Sequence, residues 1–130
     1  MLPGLSGGAL PLFGQARSVL SEAALADTPG ERFRLAHLGA LRTAAALFAV
    51  RGRPGGTRRR LVSAWELLET VAPEFAEWGT FFAAGAPVRA AVEAGAREAV
   101  TQRAADDQLR AAQDFLRLVE SSVLAPRMAS

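Results

Sequence analysis

The single histidine of the chain, His37, lies in the stretch Arg32-Phe33-Arg34-Leu35-Ala36-His37. An imidazole titrates near neutrality and can move a proton, while a guanidinium beside it can stabilise a charged phosphorane. In such a pairing His37 would act as the general acid or base, with Arg32 or Arg34 as the electrostatic partner. In a straight helix the five-residue step leaves Arg32 about 140° away from His37. Arg34, three residues before the histidine, shares its face and is the better-placed partner. Against this stands a structural reading, which is the stronger one: a lone histidine on an apolar helix is most often a core group satisfied by one hydrogen bond.

A second constellation is basic. Residues 32–65 carry eight arginines and no acid, whereas residues 1–31 sum to −2 and residues 66–130 to −4. Arg51, Arg53, Arg58, Arg59 and Arg60 fall in or beside a Gly/Pro-rich loop, where guanidinium groups can reach phosphates without disturbing a core. The bland alternative is a solvated loop, or one that pairs with the acidic helix that follows, and no aromatic residue is interleaved for base stacking. Glu66 with Glu69, and Glu74 with Glu77, share helix faces and read as solvated carboxylates. With one histidine, no cysteine and no Glu-x-x-His pair, a metal site is not expected. No phosphate-loop motif occurs in the sequence.

These side chains must be positioned by helices. Leu12, Ala16, Val19 and Ala23 recur at helical spacing and mark a first helix over about 11–26. Thr28, Pro29 and Glu31 form a capping-box pattern that opens a second helix, 29–51, apolar on most sides and therefore central. Ser63 and Glu66 repeat the pattern after the loop. The third helix carries Trp65, Leu68 and Val71, breaks at Pro73, and resumes with Phe75, Trp78 and Phe82. Gly85 and Pro87 punctuate again, a short segment follows to about Val100, and Thr101 caps a last helix over about 102–124. Its stripe is Leu109, Ala112, Leu116, Val119 and Val123, with Asp106–Arg110, Arg110–Asp114 and Asp114–Arg117 as ion pairs on the wet face. The core should contain Leu41, Ala44, Phe48, Leu68, Trp78, Leu109, Leu116 and Val119. Phe81 and Phe82 are adjacent and cannot both point inward, so one of them is a candidate interface residue. No run alternates with period two, so no sheet is expected.

The organisation this implies is a loose arm over 1–10, one bundle over 11–124 and a tail over 125–130, which suits a chain of 130 residues of which half are apolar. All 15 basic residues are arginine, and the net charge is only +2. The heavy use of Ala, Arg and Gly fits a GC-rich coding sequence, so arginine abundance alone is no sign of nucleic-acid binding. The longest uninterrupted apolar run, residues 44–50, is far short of the roughly 18 to 20 residues a bilayer span needs, and the start lacks the basic region of a signal peptide. A cytoplasmic location is the expectation, in keeping with the lack of cysteine.

The order of a capped central helix (Glu31-Arg32-Phe33 through Ala44-Ala45-Ala46-Leu47-Phe48-Ala49 to Arg51-Gly52), a polar loop, and a closing helix of the form Ala104-x-Asp106-x-x-Leu109-x-x-Ala112-x-x-Phe115-Leu116 resembles the HEPN domain superfamily. More closely it is similar to a small actinobacterial-type branch, through Ala72-Pro73-Glu74-Phe75-Ala76-Glu77-Trp78 and Phe81-Phe82-Ala83-Ala84-Gly85. The resemblance spans about residues 12–124. It implies an all-α, up-and-down bundle of four to five helices that often dimerises. Many such proteins are ribonucleases or toxins with an Arg-x(4 to 6)-His motif, and others have lost the motif and serve as binding or scaffold modules. Arg32 and His37 meet that spacing, but they stand early in the central helix, whereas catalytic members usually carry the motif late. The expectation is therefore a cofactor-free, non-catalytic module that binds RNA or a partner protein through its arginine segment and forms a homodimer around Phe81 or Phe82. A toxin-like Arg-x4-His ribonuclease using Arg32, Arg34 and His37 is the alternative.

Overall fold

Local signals at both ends fix the central helix. Thr28 takes an extended conformation and its hydroxyl accepts the backbone N–H of Glu31 at 3.2 Å, with Pro29 following at the first helical position. At the far end Gly52 adopts φ +83°, a left-handed value that favours glycine, and donates its N–H to the Phe48 carbonyl at 2.7 Å. The computed structural model describes residues 8–52 and 63–129, and within them every regular element is helical. The order is α1 (Ala9–Ala24), α2 (Pro29–Arg51), α3 (Ala64–Val71), a 3₁₀ turn (Pro73–Phe75), α4 (Ala76–Glu93), a second 3₁₀ turn (Arg97–Ala99) and α5 (Gln102–Ala129).

Helix α2 packs against all four other helices, chiefly α1 and α5. By length and hydropathy it could cross a membrane, yet its apolar side chains are spent inside the bundle: Leu35, Ala36, Ala40, Ala44, Leu47 and Phe48 are buried against the neighbouring helices. It is the core helix. Of the residues expected in the core, Ala44, Phe48, Leu68, Leu116 and Val119 are buried, while Leu41, Trp78 and Leu109 are half-buried at its margin. A smaller cluster, Phe33, Val100 and Ala105 with Val88 and Val92 against it, lies apart from the main one.

The structure corrects four expectations. Helix α1 begins at Ala9 rather than at Pro11, because a proline in the first turn removes an N–H that has no acceptor there. Helix α4 runs straight through Gly85 and Pro87, which were expected to interrupt it. Gly85 is buried where a side chain would press on α2 and α5, and the bond lost at Pro87 is outweighed by burial on either side of it. Helix α5 continues to Ala129, past the expected end near 124. On its wet face only Asp114–Arg117 forms as expected, at 3.0 Å; Asp106 turns to Arg32 instead and Arg110 to Asp107.

Candidate functional site

The first turns of α2 carry Arg32, Arg34 and His37, and the structure sends the three side chains to different places. The carboxylate of Glu31 does not return a bond to the Thr28 cap. It accepts two bonds from Arg34 instead, from Nε at 3.0 Å and Nη2 at 2.7 Å. The Arg34 hydrogen bonds hold the Glu31 carboxyl below its ordinary range, and the same pairing raises the Arg34 guanidinium. The partner that spacing assigned to His37 is thus committed one turn earlier.

Arg32 crosses to the end of α1. Its Nε donates to the Ala23 carbonyl at 3.1 Å, and its Nη2 donates to the carbonyls of Ala24 at 3.1 Å and Ala26 at 3.3 Å. Its Nη1 meets Asp106 of α5 at 2.8 Å. The last carbonyls of a helix lack intrahelical partners, and the planar fork of a guanidinium can satisfy several of them while facing the negative end of the helix dipole. Arg32 therefore ties α1, α2 and α5 together.

His37 is 1% exposed. Its Nε2 lies 3.0 Å from the Phe82 carbonyl of α4, an acceptor, so the neutral ring carries its proton on Nε2 and donates there. The ring stands edge-on to Trp65 of α3 and Phe82, with centroids 5.7 and 6.4 Å away. Its Nδ1 is buried without a hydrogen-bond partner. Burial pushes the imidazole below its usual 6.5, the bond to Phe82 opposes that shift, the Arg89 charge adds to it, and Glu93 opposes it. The Arg-x4-His spacing is present in the chain, but the folded helix does not bring its two ends together.

Of the basic segment, Arg51 is described: it closes α2 and pairs with Glu74 at 2.6 Å, which holds that carboxyl below its ordinary range. Arg53, Arg58, Arg59 and Arg60 lie outside the described residues. Of the two candidate interface rings, Phe82 is fully buried in a stack with Trp65 and Trp78, which removes it from any surface, while Phe81 remains 43% exposed. Among the described residues no three acidic, histidine or cysteine side chains come together to hold a metal.

Sequence reading missed Arg89, Glu93 and Gln108, which surround the histidine region. Gln108 is 3% exposed and its Nε2 has no partner. The periodic series Ala105, Gln108, Ala112, Phe115 and Val119 could have flagged it as an inward position on α5.

Comparison with known proteins agrees with this architecture. No curated protein and no solved structure matched the chain. The profile of the SAV_6107-like HEPN domain matches residues 23–120, from the last turn of α1 through most of α5. Because that match takes in the central helix, the capped third helix and the closing helix whose packing has just been described, the chain belongs to the SAV_6107-like HEPN family.

Proposed function

We propose that this protein is a non-catalytic HEPN module of the cytoplasm that binds RNA through the arginine segment beginning at Arg51. The burial of His37 supports the absence of catalysis most strongly. A general acid or base must lie within hydrogen-bond reach of the proton it moves, and this imidazole is 1% exposed with its Nε2 proton given to a backbone carbonyl. Arg32 is engaged by three carbonyls and Asp106, and Arg34 by Glu31. Support for RNA comes from charge: Arg53, Arg58, Arg59 and Arg60 follow Arg51, itself paired with Glu74, in a stretch of chain free of acids from 32 to 65.

Replacing Arg58, Arg59 and Arg60 together by Ala should weaken binding of a labelled single-stranded RNA. It should also flatten the salt dependence, since each lost phosphate contact removes roughly 0.7 from the slope of log K against log salt. His37→Gln should leave that slope unchanged. RNA affinity and slope identical in the triple variant and the wild type would overturn the RNA reading and leave an acidic protein surface as the partner to test.

The module is further proposed to act as a homodimer. From Gly79 to Val88 helix α4 bears no charge, and its outer side presents Phe81, Ala84 and Pro87. Light scattering at micromolar concentration should report about 27 kDa, twice the 13.7 kDa of one chain. Phe81→Arg should return it to the monomer mass, and a wild type that is already monomeric would remove this claim.

A further inference from the structure

Helix α4 is held in two parts. Its first half enters the main aromatic core through Phe82, which is stacked between Trp65 and Trp78 with centroids 5.1 and 6.4 Å away. Its second half rests on the separate small cluster, where Val88 and Val92 cover Phe33, Val100 and Ala105. Between the halves lies the weakest point of the helix: Pro87 has no N–H to give the Ala83 carbonyl, and Gly85 disfavours helix relative to alanine. Gly85 is also where α4 crosses its neighbours. A Cβ built there would lie 3.1 Å from the Phe33 ring, 3.3 Å from Gln108 Nε2 and 3.5 Å from His37 Cδ2.

His37 sits at that junction. Its bond to the Phe82 carbonyl is made by the last turn of the firmly held half, one turn before the crossing at Gly85. A second proton would place an N–H on Nδ1, which is buried with no acceptor. The charged groups acting on the ring both come from α4: Arg89, which opposes a further positive charge, and Glu93, which favours one. From α3 it meets the uncharged Trp65, and α5 approaches the same crossing with the uncharged Gln108. On α2 itself Arg34 and Glu31 are taken up with each other.

We propose that His37 is a proton-operated latch at the Gly85 crossing: while the buried imidazole is neutral α4 lies closed on α2 and α5, and a charge on the ring favours an open form in which residues 85–93 have parted from Phe33, Val100 and Ala105. The direction follows from the lowered basicity of the buried ring. Once α4 swings away the imidazole is hydrated and titrates near its ordinary value, whereas the closed form resists the proton, so acid favours the open form. Above about pH 6.5 the opening ratio is independent of pH. Below it the ratio rises by up to about tenfold per pH unit, until the closed form is protonated as well.

The test is amide hydrogen exchange on the full chain from about pH 7.5 to about pH 5, corrected for intrinsic rates, in the wild type and in His37→Gln, whose amide can donate to the Phe82 carbonyl without titrating. Wild-type amides of residues 88–94 should lose protection below about pH 6.5 while those of α1 and the middle of α5 keep theirs, and His37→Gln should show no such step. Three results would overturn the latch: a flat wild type, the same step in His37→Gln, or simultaneous loss in α1 and α5, which would mean whole-domain unfolding. Should His37→Gln fail to fold, Pro87→Ala decides: restoring the missing N–H should reduce the acid opening without moving its onset, and an unaltered opening rejects the proposal.

Discussion

Phe115→Ala should destabilise the protein by about 3 to 5 kcal/mol, the largest loss expected from any single truncation. Phe115 is fully buried and is the α5 residue around which the aromatic core is assembled. Its ring meets Phe75 edge-on at 5.8 Å, stacks on Trp78 at 5.9 Å and lies 5.4 Å from Phe82 and 6.5 Å from Trp65. Truncation opens a cavity among side chains from three separate elements, which cannot collapse together without moving α4 off α5. Urea unfolding measures the loss directly, and Leu118→Ala on the same helix is its control: that side chain is 41% exposed, so its removal should cost no more than about 1 kcal/mol. Equal effects for the two variants would mean that the core is centred elsewhere.

Arg32→Met should cost about 2 to 3 kcal/mol, although the side chain keeps its apolar stem. The loss comes from the Ala23, Ala24 and Ala26 carbonyls, which lose their charged donor at the end of α1, and from Asp106, which loses its partner across the bundle. Arg32→Lys should recover only part of this, because an ammonium cannot reach several acceptors in one plane. The same urea titration distinguishes the outcomes. A fully stable Arg32→Met variant would contradict the structural role given to this residue and return it to the candidates for phosphate binding.

Where a structural signal is local, the sequence displayed it. Thr28-Pro29 and Gly52 bound α2 at both ends as read, because a cap and a left-handed glycine depend on their immediate neighbours alone. The same holds for Ser63 and Glu66, whose reciprocal bonds form the complete capping box at the start of α3. The break expected at Gly85 and Pro87 fails for the opposite reason: the helix penalty is local, but the packing that offsets it comes from Phe33, Val100 and Ala105, distant in the chain. Arg32 illustrates the limit of spacing most clearly. Its acceptors lie at Ala23 to Ala26 and at Asp106, 74 residues away, and nothing within the Arg-x4-His stretch points to them. The burial of His37, by contrast, was legible in the apolar surroundings of the central helix.

The most direct test of a non-catalytic HEPN module is to incubate a labelled single-stranded RNA with the wild type and with His37→Ala in the presence of a chelator. The structure predicts RNA that stays intact with both proteins, since the only histidine is closed off from any substrate by Phe82 and Trp65. Chelator-resistant cleavage by the wild type that falls by about 10²-fold or more in His37→Ala would contradict it, and would make His37 a catalytic residue.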